Sequence, residues 1–503
     1  MALRHRRTIP ALTVGAVAAV LAGLTPATAS AAGDPLQRYD RQRLRWERCD
    51  PGKPATFECA KVKVPLDYGD PGGRQLDLAI SRVKAGKPQE RHGVLLMNPG
   101  GPGGPGLTLP VDLAPVLPAQ VREQFDLVGF DPRGVGRSSP IGCGLTADEQ
   151  TVLHPYSPAA FGQDVARARS VADKCWAKAG DVLPYLTTRN TARDMDIVRA
   201  ALGERKISYY GLSYGTYLGA VYTQLFPGRS DRFVLDSAVD PARVWRGQFR
   251  AWAPGAELAF TRWTEWAAAR DATYGLGATP AEVRRTFWDL IALADRTPVP
   301  TTGKALSGGG IRTEYPAFVS PATVTPWIAA LKAAAAGGPP APAAPGAAEE
   351  EAGAGTAAET PADNAVAMAW AVTCGDTRNW PRDPEQYRRD AVRDRAAYPL
   401  AGDLAAGIQP CAFWKSAAIE PATAVDNRVG ALIVQNEWDP QTPLATAQGM
   451  RRALHGARLV TVNGGEGHGV LVAGPSCADA DVTRYLTTGR LPAQDHRCGP
   501  TGS

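Results

Sequence analysis

Gly211-Leu212-Ser213-Tyr214-Gly215 lies between Lys206-Ile207-Ser208-Tyr209-Tyr210, which reads as a buried strand, and Thr216 to Tyr222, which reads as a helix with small residues on one side. Strand, Gly-x-Ser-x-Gly, helix is the setting of a nucleophile elbow, where a serine is held on a sharp turn in a strained backbone conformation. Glycines flank it because a Cβ two residues either side would collide with the turn. A bare pentapeptide is a common coincidence; the strand before it and the helix after it give it meaning. Ser213 is then a nucleophile, and the chain must also supply an acid, a histidine and an oxyanion hole.

The surrounding pattern suits such an elbow. Leu76 to Val83 alternates at period two and reads as a strand, whereas Gly93–Met97 and Phe125–Phe130 are continuous apolar runs, as expected of strands covered on both faces. Thr191 to Leu202 reads as a helix, with Thr191 and Asp194 at capping-box spacing and Met195, Val198 and Leu202 on one face. Arg232–Leu235 is a further strand, and Gly430–Val434 is expected as the final one after a long gap. Strands alternating with helices predict an α/β fold, a mostly parallel sheet with helices on both faces.

The gap, Val239 to Asn427, holds many of the tryptophans, from Trp245 to Trp380, and reads as amphipathic helices. Within it Ala333 to Ala362 is rich in Ala, Pro and Gly, carries Glu349-Glu350-Glu351, and is expected to be a mobile loop with almost nothing to bury. A helical insertion between two late strands predicts a cap above the sheet edge where Ser213 points. An independent second domain is the alternative, but the sheet needs the returning strand. The expected organisation is a signal peptide at 1–32, a core at 33–238, the cap at 239–427 and the rest of the core at 428–503.

Residues 1–32 combine Arg4, Arg6 and Arg7, an apolar stretch from Ile9 to Leu24, and small-residue cleavage sites at Ala27-Thr28-Ala29 and Ala29-Ser30-Ala31. This predicts export and a secreted mature chain; no other stretch is long and apolar enough for a membrane span. Removing the three arginines takes the formal net charge from +5 to +2, and no Lys/Arg stripe remains to argue for nucleic acid. Eight cysteines in an exported chain read as disulfides rather than metal ligands. Proximity alone favours Cys49–Cys59, Cys143–Cys175, Cys374–Cys411 and Cys477–Cys498.

With an elbow of this type the partners follow in the order Ser, Asp or Glu, His. Of the five histidines past the signal, His92, His154, His455, His468 and His496, only the last three follow a suitable acid. His468 sits in Gly464-Gly465-Glu466-Gly467-His468-Gly469, just past the apolar run Leu459–Val462, while His455 and His496 read as surface residues. The acid should follow the strand ending at Val434. Asp439 is favoured over Glu437 because the chain turns at Pro440, and a carboxylate there fixes the imidazole tautomer and stabilises the imidazolium. One oxyanion donor is the N–H of Tyr214. The other belongs to the loop Asn98-Pro99-Gly100-Gly101-Pro102-Gly103-Gly104-Pro105-Gly106, with Gly101 chosen and Gly100 as the alternative.

That loop, together with Gly129-Phe130-Asp131-Pro132-Arg133-Gly134-Val135-Gly136-Arg137-Ser138, Gly211 to Thr216, Asp439-Pro440-x-Thr442-Pro443 and Gly467-His468-Gly469, resembles the secreted bacterial tripeptidyl aminopeptidase group of the prolyl aminopeptidase family. The similarity runs from about Trp46 to the C-terminus, more loosely in the cap. It implies an α/β-hydrolase fold, a helical cap, release of short peptides, tripeptides in this group, from free N-termini, and the triad Ser213, Asp439 and His468. Two positions depart from prolyl aminopeptidases proper: Tyr214 stands where they tend to have Trp, and their His-Gly-Gly-Pro-Gly appears as Pro99-Gly100-Gly101-Pro102-Gly103.

The expected chemistry is acyl transfer at a peptide bond by a monomer needing no metal and no organic cofactor, with peptide or protein N-termini as substrate. An aminopeptidase also needs a carboxylate for the substrate's α-ammonium group, and Glu437, Asp376 and Asp240 are the candidates. An esterase or lipase could use the same triad. A binding protein on a non-catalytic hydrolase fold is the third reading, and the intact Ser–Asp–His set argues against it.

Overall fold

The computed structural model describes residues 35–345, 360–415 and 419–499. The expected signal peptide and residues 346–359 of the alanine-rich stretch lie outside them. Ten strands form one sheet: β1 (Glu47–Arg48), β2 (Glu58–Pro65), β3 (Gln75–Val83), β4 (Gly93–Asn98), β5 (Phe125–Phe130), β6 (Ile207–Leu212), β7 (Ser230–Asp236), β8 (Ala431–Trp438), β9 (Arg458–Glu466) and β10 (His496–Cys498). Their spatial order is β1-β2-β3-β5-β4-β6-β7-β8-β9-β10. β1 to β3 join antiparallel and β3 pairs antiparallel with β5, while β4, β5 and the later strands pair in parallel. This is the mostly parallel α/β-hydrolase sheet. It does not end at the Gly430 run expected as the final strand, because β9 and β10 extend it.

Alternation along the strands divides the core into two faces. Val94, Leu96, Tyr209, Phe233, Leu235 and Ile433 pack in one apolar cluster. Leu95, Met97, Tyr210, Val234, Leu432 and Val434 pack in the other. Helices cover both sides, which is why the central strands read as continuous apolar runs.

Helix α1 (Phe161–Ala179) is joined to the loop after β5 by Cys143–Cys175. Helix α2 spans Thr188–Ala201 and starts about a turn before the expected Thr191; its cap is Thr187, whose side chain accepts from Asn190 N–H. The expected capping pair is engaged otherwise. Thr191 Oγ1 donates to the Thr187 carbonyl, and Asp194 is the buried partner of Arg133, with Nε–Oδ2 at 2.7 Å and Tyr68 donating to Oδ1 at 2.8 Å. A buried charge outweighs a local cap, since removing one partner of such a pair costs about 3–5 kcal/mol.

After the elbow helix α3 (Tyr214–Leu225), the chain between β7 and β8 builds α4 (Arg246–Ala268), α5 (Pro280–Arg296), α6 (Pro321–Ala335), α7 (Asn364–Gly375) and α8 (Pro384–Ala397), among shorter elements. Thr279 and Glu282 form a capping box at α5, with Pro280 in its first turn. α4, α5 and α6 enclose their own apolar cluster around Phe260, Trp263, Phe287 and Phe318, without residues from the sheet. The alanine-rich stretch begins inside α6, and Ala334 and Ala341 are buried in that cluster, so its first part is not the loop without burial that composition suggested. Helix α7 packs instead with the sheet, through Ala367, Met368, Trp370 and Ala371. It is anchored at its start: Asn364 accepts from Gly136 N–H and donates to the Gly134 and Ile141 carbonyls, while Asp363 accepts from Cys143 and Leu145 N–H.

All eight cysteines are paired, in the four sequence-local combinations that proximity suggested. Among the described residues no helix is long and apolar enough to cross a membrane.

Candidate active site

Ser213 ends β6 and precedes α3 with φ 57° and ψ −122°, in the left-handed half of backbone space where a non-glycine residue is strained. The flanking glycines are sterically required: a Cβ on Gly211 would lie 2.5 Å from Gly215 O, and one on Gly215 would lie 2.9 Å from Asn98 O. Ser213 N–H donates to the carbonyl of Asp236, at 3.0 Å, which ties the turn to the end of β7.

β8 and β9 run side by side and pair as far as Trp438 and Glu466, so their ends deliver an acid and a histidine to one place. His468 Nδ1 lies 2.8 Å from Asp439 Oδ2. Asp439 is buried; its Oδ1 accepts from Gln441 and Thr442 N–H, and its Oδ2 also accepts from Thr442 Oγ1 at 2.7 Å. Burial alone would raise its carboxyl, but the charge of His468 and the hydrogen bonds from His468 and Thr442 outweigh it and hold the group below the usual carboxylate range. The His468 side chain keeps 18% of its surface exposed, enough to meet a substrate. Gly467 and Gly469 both have positive φ, and a Cβ on Gly469 would lie 3.0 Å from Leu212 Cδ1, so the histidine loop rests on the residue before Ser213.

The Gly/Pro loop after β4 meets the elbow from the other side. A Cβ on Gly100 would lie 2.9 Å from Ser213 Cβ and 3.2 Å from Tyr214 N. The N–H of Gly100 is engaged, donating to Asn98 Oδ1 at 3.0 Å. The N–H groups of Gly101 and Tyr214 form no hydrogen bond among the described residues. Asp131 braces the loop by accepting from Gly106 and Leu107 N–H through one oxygen and from Arg137 N–H through the other. The family-like Gly129–Ser138 stretch therefore acts as scaffold.

The expected ammonium-binding acids are engaged elsewhere. Glu437 accepts from Gly464 N–H at 2.9 Å and faces Arg497 at 3.1 Å. Asp240 caps its own turn through Ala242 N–H and faces Arg243. Asp376 lies beneath Tyr214, accepting from Thr188 N–H, Thr188 Oγ1 and Trp245 Nε1, and Tyr214 Oη is 2.9 Å from Thr188 Oγ1. Burial pushes its carboxyl up to about 6. With only 5% of its surface exposed and its oxygens occupied, it supports the elbow rather than facing a substrate. Asn98, Asp236 and Thr442 escaped the sequence reading as site residues. Thr442 stood in the Asp-Pro-x-Thr-Pro turn, where its hydroxyl was a visible signal; Asp236 had none beyond following a strand.

Residues 93–287 match the family model described as "alpha/beta hydrolase fold", and residues 398–498 match "TAP-like protein". The chain is 35% identical over 486 residues to a "Tripeptidyl aminopeptidase" of Streptomyces lividans, covering 92% of this chain and 88% of that one. It is 30% identical over 494 residues to "Serine protease Hip1" of Mycobacterium tuberculosis, covering 91% of each. A "Carboxylesterase B" of the same organism is 32% identical over 479 residues, covering 90% of each. The elbow, the acid and histidine at neighbouring strand ends and this full-length likeness converge: the chain belongs to the tripeptidyl aminopeptidase family of α/β-hydrolase serine peptidases.

Proposed function

We propose that this chain is a secreted exopeptidase that releases tripeptides from free N-termini through an acyl-enzyme on Ser213. The observation carrying the reading is the 2.8 Å contact between His468 Nδ1 and Asp439 Oδ2, on loops that adjoin a strained serine. His468 Nε2 takes the proton of Ser213 as Oγ attacks the scissile carbonyl. The N–H groups of Tyr214 and Gly101 receive the oxyanion. The imidazolium, steadied by Asp439, then protonates the leaving amine, and water repeats the sequence on the ester to free the peptide. The signal-like N-terminus and the four disulfides support secretion.

The test is hydrolysis of chromogenic amides bearing one, two or three residues with free amino termini, their N-blocked counterparts, and a short-chain ester. Fastest release from the free tripeptide amide is expected, with loss of turnover in Ser213→Ala. The carboxylesterase relative favours a second reading, ester hydrolysis by the same residues. Turnover of the ester alone would select it, and turnover of blocked amides alone would end the aminopeptidase reading.

A further inference from the structure

The end of β7 is joined to the serine turn, to the histidine loop and to β8, the strand that leads to Asp439. Asp236 faces two of them from opposite ends of one residue. Its carbonyl receives Ser213 N–H at 3.0 Å, and its carboxylate receives Val470 N–H at 2.7 Å on Oδ1 and Leu471 N–H at 3.1 Å on Oδ2, immediately past His468. Tyr210 Oη adds a bond at 2.9 Å to Oδ2. Ser237, itself at φ 57°, continues the pattern: its Oγ accepts from Gly469 N–H at 2.8 Å and its N–H donates to the Val434 carbonyl of β8, the strand leading to Asp439. Asp236 and Ser237 are both fully buried.

Two features set this dipeptide apart from ordinary packing. Burial raises the Asp236 carboxyl, and the donors that enclose it, Val470 and Leu471 N–H, Tyr210 Oη and Ser237 Oγ at 3.4 Å, oppose that rise and favour the ionised form. A buried charge is costly to install for scaffold purposes, since an apolar residue can hold a strand end without it. Ser237 adopts a backbone conformation that a non-glycine residue avoids unless its surroundings enforce it. Both oddities meet where the histidine loop touches the serine turn.

We propose that Asp236 and Ser237 are positioning residues for this hydrolase, holding the His468 loop in register with Ser213. The inference rests on the reading of Ser213, His468 and Asp439 as the catalytic set. Asp236 acts through the backbone on both sides of the proton transfer: with its carboxylate lost, Val470 and Leu471 N–H are released and His468 moves relative to Ser213. Near-attack geometry is steep in distance, so displacement lowers turnover more than substrate binding. The titratable groups facing Asp236 are Tyr210 from β6 and His468 from the loop after β9, while Asp439 faces His468 from β8. An ionised Asp236 therefore also favours the imidazolium.

The experiment compares Asp236→Asn, Ser237→Ala and Ser213→Ala in the full chain, by steady-state kinetics on a free tripeptide amide and by the rate of inactivation with a fluorophosphonate. Asp236→Asn is expected to lower kcat by roughly 10- to 100-fold with KM within about two-fold, and Ser237→Ala to lower kcat by roughly 3- to 10-fold. Inactivation should slow in parallel. In Asp236→Asn the acidic limb of kcat/KM should move to lower pH, because removing a nearby negative charge lowers the imidazole pKa; in Ser237→Ala it should stay in place. A folding defect alone would reduce the active fraction without moving that limb. Asp236→Asn with wild-type kcat and an unmoved limb overturns the proposal. If that variant does not fold, Ser237→Ala decides, and unchanged kcat and inactivation rate overturn it. Activity surviving in Ser213→Ala instead overturns the catalytic reading on which the proposal rests, an outcome distinct from either.

Discussion

Thr442 Oγ1 donates to Asp439 Oδ2 at 2.7 Å and lies 3.4 Å from His468 Nδ1, so one hydroxyl touches both members of the acid–histidine pair. It shares the oxygen that faces the imidazole and limits where that oxygen can swing. Thr442→Val keeps the shape and removes the donor. Its kcat/KM on a tripeptide amide should fall by about 10- to 150-fold, on the scale of one hydrogen bond to a charged group. Thr442→Ser should stay near wild type.

Gly100→Ala tests the oxyanion loop. Its Cβ would fall 2.5 Å from Leu212 O, a backbone atom that cannot step aside, at φ 97° where alanine is strained. Turnover should drop by about 100-fold or more as Gly101 N–H is displaced from the elbow. The thermal midpoint should fall as well, reflecting about 1–3 kcal/mol of strain.

Asp376 offers a linkage experiment. Its carboxyl is raised from 3.8 to about 6 by burial, so the folded state binds its proton more tightly than the unfolded state does. The stability this group contributes is fully present below pH 4 and is lost as pH rises through 6. Asp376→Asn does not titrate. The stability of wild type relative to this variant, measured by denaturant melts, should therefore decline by about 2.4 kcal/mol between pH 4 and pH 7. A flat difference would contradict the assignment.

Cys374 and Cys411, 37 residues apart, link the last turn of α7 to a short turn leading toward β8. Closing a loop of that length is worth about 3–4 kcal/mol in the chain-entropy account. The double variant Cys374→Ala/Cys411→Ala should melt at a lower temperature yet keep kcat within about three-fold at 25 °C, because the start of α7 remains bound to the loop after β5 through Asn364 and Asp363. A large loss of kcat at that temperature would mean that the bond shapes the site itself.

What could be read from residues alone was whatever repeats or punctuates. The apolar runs of β4 to β8 are legible because both faces of each strand are covered, and the glycines around Ser213, Gly101 and His468 because backbone closeness forbids a Cβ. The start of α2 was misplaced because Thr191 and Asp194 stand at capping-box spacing in sequence, whereas Asp194 is a buried partner of Arg133 in space, 61 residues away. The acids proposed for the substrate's ammonium group were chosen by position in the chain. Their partners, Arg497 for Glu437 and Thr188 with Trp245 for Asp376, are long-range and leave no local trace. β2 was overlooked although Lys61-Val62-Lys63-Val64 alternates, because its outer face is charged and it lacks the apolar run that marks the centre of the sheet.

β8 runs parallel to β7, so the chain that leaves Asp236 at one edge of the sheet must travel back to the other before Ala431 can pair with Phe233. Its landing point is pinned: Asn427 donates to Thr223 Oγ1 and Gln224 Oε1, and its carbonyl accepts from His455 N–H. All the intervening helices are strung between two fixed posts. Of these, α4, α5 and α6 share an apolar core of their own, so their outer surfaces can vary while Asn364 and Asp376, which brace the loop after β5 and the elbow, stay in place.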